Sequence, residues 1–355
     1  MKRIKLASLR RYFAISAAGL LLTLCLGGIA HAQGEPYYSG KTVRVIVGFT
    51  PGGFYDRWAR LLSRYMPKYI PGNPNFVVQN MPGASSVIAA NYVYNVTKSD
   101  GLTILVPINS LYLDQIVGRT EVKFDVRKFE FVGTQEKAPT MLYFRADSPI
   151  KTLADIIHAK DPPKCGSTGT ASTGYLLARL MDEAFKAKLN TVTGYQGGSE
   201  VDVAVERGEL SCRGMDIPPH FGREPFDSWH KRGFDRHILQ SGPKRDPRMP
   251  DTPTLAELMD QYQTPDVTRR VARIVLASGE FGRPMVVGPG TPADRVKILR
   301  DAYTRAMRDP GLIEEARKGQ MEMEHTPGED LQTLLKEIMN QPNDVIERVK
   351  KVLTE

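Results

Sequence analysis

Clustered charge of one sign past the N-terminus, a second long apolar run, internal repeats and the familiar catalytic signatures are all missing from this chain. Each absence narrows what it does. Lys and Arg number 48 against 40 Asp and Glu, and five of the cations, Lys2, Arg3, Lys5, Arg10 and Arg11, stand at the N-terminus with no acid among them. Without that segment the formal charge falls from +8 to +3, with both signs interspersed. Phosphate backbones require clustered Lys and Arg, so nucleic acid is excluded as a partner. Past Ile29 no apolar run approaches the roughly 20 residues of a membrane span. Hydrolysis finds no Gly-x-Ser-x-Gly elbow, and the stretch Gly166 to Gly174 lacks the Lys of a phosphate-binding loop. His220, His230 and His237 fall in one segment at spacings that match no zinc template, so they read as surface histidines; no metal and no cofactor is assigned. Cysteine is scarce, with Cys25, Cys165 and Cys212 alone.

What is present begins with a secretory leader. The basic start gives way to an apolar stretch from Phe13 to Ile29, and Ala30-His31-Ala32 sets small residues at the cleavage offsets. The expectation is a leader over 1–32, removed near Ala32, and a periplasmic chain beginning at Gln33. Lipidation at Cys25 is disfavoured by bulky Leu24 before it. A remaining chain of roughly 320 residues suits two lobes rather than one.

Beyond the leader, short β-branched runs alternate with longer amphipathic stretches, which predicts an α/β fold with mostly parallel sheets flanked by helices. Val43 to Val47, Phe76 to Val78 and Thr103 to Val106 read as strands, with helices over Tyr55 to Met66 and Ser85 to Val96. A second unit follows Thr140 to Phe144. It has helices near Leu153 to His158, Ser172 to Lys188 and Ser199 to Glu206, and strands near Lys164 to Ser167, Thr191 to Thr193 and Leu210 to Met215. Pro218 to Arg236, rich in Pro, Gly, Arg and aromatics without a period, reads as a long loop. Helices return from Pro292 to Met307 and from Pro327 onward. The lobes are expected over 41–140 with 236–355, and over 141–235, enclosing a cleft. Cys165 and Cys212 fall on strands of the second lobe. An even count in an oxidising compartment makes them a candidate disulfide, with two buried thiols as the alternative.

Recognition chemistry concentrates at strand-to-helix turns. The first strand runs into Thr50-Pro51-Gly52-Gly53-Phe54-Tyr55-Asp56, where two glycines free the backbone N–H groups and a helix start adds partial positive charge. That is an anion seat. Asp56, in the first helical turn, is assigned to holding this loop. The second strand repeats the pattern with Asn80-Met81-Pro82-Gly83-Ala84-Ser85-Ser86. Both turns open at the same sheet edge, and the serines either cap their helix or offer hydroxyls to a ligand.

These residues carry a family resemblance: Pro51-Gly52-Gly53 with Asp56, Asn80-x-Pro82-Gly83-Ala84, and Asp100-Gly101-x-Thr103-Ile104-Leu105. So do the later landmarks Gly166-Ser167-Thr168-Gly169-Thr170, Tyr195-Gln196-Gly197-Gly198, Asp251-Thr252-Pro253-Thr254-x-x-Glu257 and Pro289-Gly290-Thr291-Pro292. In this order they resemble the substrate-binding receptors of tripartite tricarboxylate transporters, the TctC or Bug family. The resemblance implies the two-lobed type II periplasmic binding protein fold. It also implies a monomeric receptor that binds a small organic carboxylate and hands it to the large and small membrane subunits of a transporter. Carried onto this chain, the ligand contacts are Phe49, Thr50, Gly52, Gly53, Phe54, Tyr55, Gly83, Ala84, Ser85 and Ser86 from one lobe. The other lobe supplies Thr168, Gly169, Thr170, Ser172, Tyr195, Gly197 and Asp216, and Asn109 is a further candidate. Phe49, Phe54, Tyr55, Tyr112 and Tyr195 either suit an aromatic acid or shape the walls. Ser85-Ser86 and Gln196 depart from the family's commoner Gly and Tyr-Lys patterns. Two rival functions share the fold: an enzyme acting on an organic acid, and a ligand carrier for a sensor kinase.

Overall fold

The computed structural model describes residues 35–354. The leader expected over 1–32, Gln33 and Cys25 lie outside these residues. The chain enters through β1 (Thr42–Val47), α1 (Phe54–Tyr65), β2 (Asn75–Asn80), α2 (Val87–Asn95), β3 (Thr103–Val106), α3 (Leu111–Ile116) and β4 (Glu130–Thr134). It crosses to β5 (Thr140–Arg145), α4 (Leu153–Ile157), β6 (Lys164–Gly166), α5 (Thr173–Phe185), β7 (Asn190–Val192) and α6 (Gly198–Glu206). Next come β8 (Cys212–Asp216), α7 (Ile217–His220), α8 (Phe226–Lys231) and β9 (Asp235–Gln240). Then α9 (Leu255–Gln261), α10 (Asp266–Leu276) and α11 (Ser278–Phe281) lead back to β10 (Met285–Val287). The chain finishes with α12 (Ala293–Ala306), α13 (Pro310–Lys318), β11 (Thr326–Pro327), α14 (Gly328–Met339) and α15 (Asn343–Thr354). No helix among the described residues is long and apolar enough to cross a membrane.

These strands make two sheets, ordered β11-β4-β10-β3-β1-β2 and β7-β6-β8-β5-β9. Both are mixed. The ladders β3-β1-β2 and β7-β6-β8 are parallel, while β10 and β9 pair antiparallel with their neighbours because they are supplied by returning chain. The parallel halves matter for the site, since their carboxyl ends all open onto the space between the sheets.

Burial explains the layers. Val43, Val45, Ile46 and Val47 of β1 are buried, as a central parallel strand covered on both faces requires. Trp58, Leu61 and Leu62 of α1 join the same core, and each such large side chain contributes roughly 1.5–3 kcal/mol when buried. In the second sheet the alternation of β5 sorts its residues onto opposite faces. Leu142 and Phe144 meet Leu177, Leu180, Leu255 and Leu258 on one side. Met141 and Tyr143 meet Val201, Met215, Phe226 and Trp229 on the other.

The segment read as a loop, Pro218 to Arg236, instead carries α7, α8 and the start of β9. Its aromatics are its core: Phe226 and Trp229 are fully buried and meet Tyr143 edge-on at ring separations of 6.0 Å. The expected boundary at 235 and 236 cuts into β9, which pairs along β5 in the second sheet. Two crossings join the sheets, residues 135–139 and 277–284, and they touch where Ala138 N donates to Gly279 O at 2.8 Å.

Candidate functional site

The cleft between the sheets holds two adjoining cavities of about 100 and 270 Å³ that share Phe49 and Thr168. Three helices begin at the smaller, inner one. Its wall includes Gly53 and Phe54 at the start of α1, Ser172 and Thr173 at the start of α5, and Gly197 and Gly198 at the start of α6. None of these three helices has a side-chain cap. Each helix start carries unsatisfied N–H groups and roughly half a positive charge. Three aimed at one cavity make an anion seat.

Charged side chains complete the inner wall. Arg213 donates to Gly198 O at 3.0 Å and pairs with the buried Asp202, whose other oxygen takes Arg223. Arg283, on the second crossing, is 2% exposed. It pairs with Glu136 and, at 3.0 Å, with Asp216, and lies 4.8 and 4.9 Å from the rings of Phe54 and Tyr55. Thr173 Oγ1 also donates to Asp216, at 2.9 Å. Burial pushes the Asp216 carboxyl up to about 7, against the pull of the Thr173 hydrogen bond and the Arg213 charge. Three guanidiniums thus stand among the carboxyls of Asp202, Glu136 and Asp216, and burial disfavours charge on the last.

The loop carrying Phe49 to Gly53 is held from behind. Asp56 accepts from Gly52 N at 2.8 Å, Arg60 Nε at 2.9 Å and Asn80 Nδ2 at 2.9 Å, and Asn80 Nδ2 also reaches Phe49 O. Burial opposes ionisation of Asp56, but these hydrogen bonds outweigh it and hold the carboxyl below its usual value. Of the two glycines only Gly52, at φ +82°, needs glycine's freedom. Gly53 has an ordinary φ of −68°, so its expected special role in the backbone is corrected.

The outer cavity lies between Gly83, Ala84 and Ser85 on one side and Thr168, Gly169, Thr170 and Tyr195 on the other. Ala84, Ser85 and Ser86 all have positive φ, at 46°, 49° and 75°. Three consecutive left-handed L-residues cost roughly 1–2 kcal/mol each, and glycine would sit there without strain. The lobes touch here. Ser85 Oγ is 3.4 Å from Thr168 Oγ1, and Ser110 Oγ donates to Ala171 O. A Cβ on Gly197 would fall 2.2 Å from Thr50 Oγ1, and one on Gly169 would fall 2.5 Å from Ser85 Oγ. The structure is a shut cleft.

The inner cavity therefore gathers Phe49, Thr50, Gly53, Phe54, Tyr55, Thr168, Ser172, Gly197 and Asp216, and the outer one Gly83, Ala84, Ser85, Gly169, Thr170 and Tyr195. Gly52, Ser86 and Asn109 line neither. Ser86 is fully buried and accepts from Ile108 N at 2.9 Å. Asn109 lies with Tyr112 on a small separate apolar cavity, and the Tyr112 hydroxyl is committed to Ile274 O at 2.7 Å. Sequence reasoning missed Arg213, Arg223, Arg283 and Asp202. The available signal was an arginine inside a short strand, between Cys212 and Gly214, where a charge demands a partner.

Of the three histidines read as surface residues, His220 is not one, while His230 and His237 are half-buried. His220 is fully buried, and burial pushes its pKa down to about 4, which keeps it neutral. His230 and His237 converge on it together with Asp235. Cys165 and Cys212 sit opposite each other on β6 and β8 and are joined by a disulfide, with Cα atoms 4.5 Å apart.

A family model described as the tripartite tricarboxylate transporter family receptor matches residues 59–351. A Cupriavidus necator protein, "UPF0065 protein in gbd 5'region", is 26% identical over 96% of this chain and 98% of its own length. The solved structure of periplasmic binding protein BugD superposes with a TM-score of 0.69 at 21% identity, covering 90% of this chain and 99% of that one. MatC from Rhodopseudomonas palustris with bound malate superposes at 0.66 and 20% identity, over 88% and 99%. Both structures share the fold of two mixed sheets flanked by helices.

Proposed function

The chain belongs to the tripartite tricarboxylate transporter receptor family of periplasmic solute-binding proteins, and from that premise we propose that it binds a small organic carboxylate in the interlobe cleft and delivers it to a membrane transporter of that type. The leader is removed near Ala32, and the protein works as a monomer in the periplasm. The observation that carries the reading is the convergence of three helix starts without side-chain caps on one cavity. Backbone amides there serve as the principal carboxylate donors, with Thr50, Ser172 and protonated Asp216 around them. The outer cavity, floored by Gly83 to Ser85 and walled by Tyr195, takes the rest of the molecule.

Malate, the ligand of MatC, is the first compound to test, followed by longer dicarboxylates and aromatic acids. In calorimetry a matched acid should bind one to one and its diamide should not. The acid should also raise the melting temperature by mass action and be recovered unchanged. Equal affinity for acid and amide would remove the anion seat, and disappearance of the acid on incubation would favour an enzyme.

A further inference from the structure

Away from the cleft floor, α7, α8 and β9 bring four ligating side chains to one point. His220 ends α7, His230 lies on α8, and Asp235 and His237 alternate on β9. His220 Nε2 lies 2.8 Å from Asp235 Oδ2, 2.9 Å from His237 Nε2 and 3.1 Å from His230 Nε2. Asp235 Oδ2 lies 3.2 Å from His237 Nε2 and 3.4 Å from His230 Nε2. These five separations, 2.8 to 3.4 Å, run from hydrogen-bond length up to the edge of a metal tetrahedron, and all four ligand atoms lie within 4.8 Å of one another. Zinc bonds to imidazole nitrogen or carboxylate oxygen run about 2.0–2.2 Å, which puts ligand atoms of a tetrahedral site roughly 3.3–3.5 Å apart.

Hydrogen bonding alone serves this cluster poorly. A neutral imidazole nitrogen offers one proton or one lone pair, yet His220 Nε2 faces three partners, two of them other ring nitrogens. A cation accepts a lone pair from each of the four atoms at once. Burial fits as well, since the side chains of His220 and Asp235 are 0% and 2% exposed, whereas those of His230 and His237, at 25% and 18%, leave a way in.

We propose that His220, His230, Asp235 and His237 form a closed tetrahedral site for a divalent transition-metal cation, with Zn²⁺ favoured by three imidazoles and one carboxylate. Four protein ligands leave no open position, so the site is structural. It staples α7 and α8 to β9. The stapled segment matters to the cleft, because Asp216 immediately precedes α7, and Pro219 and Arg223 line the inner cavity.

The test uses the mature chain without a polyhistidine tag. Elemental analysis after purification in zinc-containing buffer and gel filtration should find one zinc per chain. After chelator stripping, with folding verified by circular dichroism, one equivalent of Co²⁺ should produce the visible bands of a tetrahedral complex. Zn²⁺ should displace it and raise the melting temperature. His230→Gln, at the most exposed ligand, should weaken Zn²⁺ binding by about 100-fold or more, and Asp235→Asn likewise. A stripped, folded native chain that takes up neither Co²⁺ nor Zn²⁺ at micromolar concentration overturns the proposal. So does a His230→Gln variant that binds Zn²⁺ as tightly as the native chain. If Asp235→Asn fails to fold, the native titration and His230→Gln still decide.

Discussion

At the Asp216 carboxyl, burial and function pull the same way. Its neighbours are Arg283, Thr173 and, further off, Arg213, with Glu136 beyond Arg283. The group titrates near 7 rather than near 4 because burial disfavours its charge. A folded value above the unfolded one means that the proton stabilises the fold below about pH 4, and that this contribution is lost as pH rises to about 7. A bound carboxylate adds a second negative charge and strengthens the hold on that proton. Affinity for the acid should therefore be flat below pH 7 and fall as pH rises above it, by at most about tenfold per unit. Asp216→Asn should bind at pH 8.5 about as well as the native chain does at pH 6. Calorimetry across that range decides, and native affinity that does not change with pH ends the argument. Asp216 entered the sequence reading through the family resemblance, just after a strand read to Met215, and it lines the inner cavity. Arg283 was not legible, because its partners Glu136 and Asp216 lie 147 and 67 positions away, and no local pattern links them.

Among the elements, β6 and β8 are the pair on which the second lobe's binding edge depends. Ser167 follows β6 and Asp216 ends β8, and the Cys165–Cys212 bridge ties the two strands behind them. With the cysteines 47 positions apart in sequence, chain entropy assigns the bridge about 4 kcal/mol. The Cys165→Ser, Cys212→Ser double variant should lose up to that amount in urea unfolding while keeping acid affinity within about threefold. Unchanged stability would falsify the entropic account. The strands β1, β2 and β3 were readable because each is a β-branched run between turn residues. Others were hidden. β10 has only three residues, Met285–Val287, and becomes a strand by filling the gap between β3 and β4. α9 carries a capping box, in which Thr254 Oγ1 accepts from Glu257 N at 3.1 Å and Glu257 accepts from Thr254 N at 2.7 Å. That signal stood in the sequence as Thr254-x-x-Glu257 and served as a family landmark rather than a helix start. α7 has four residues and α8 six, and α8 buries Phe226 and Trp229 against Tyr143 of β5 from a helix too short for periodicity to show.

For the molecule as a whole, the shut cleft depends on glycines that let the lobes meet. Gly197→Val would drive a side chain into Thr50 across the gap. The variant should fold with an unchanged melting temperature in the absence of ligand, lose tenfold or more in acid affinity, and stay expanded in small-angle scattering when ligand is added; tenfold corresponds to about 1.4 kcal/mol. Native-like compaction on ligand addition would contradict it. Arg57 of α1 bears on the same motion. One arm of its guanidinium donates to Gly222 O, in the segment between α7 and α8, at 2.8 Å, and the other to Gly319 O, just past α13, at 2.7 Å. Parting the lobes breaks the first bond and spares the second, so this side chain acts as a latch anchored on one door. Its effect falls on time rather than on equilibrium alone: entry of the solute into an open cleft does not involve the latch, whereas escape must undo it. Under the function proposed above, such a latch would lengthen the residence of a bound acid, and its release would require the Arg57 bond to Gly222 O to be undone.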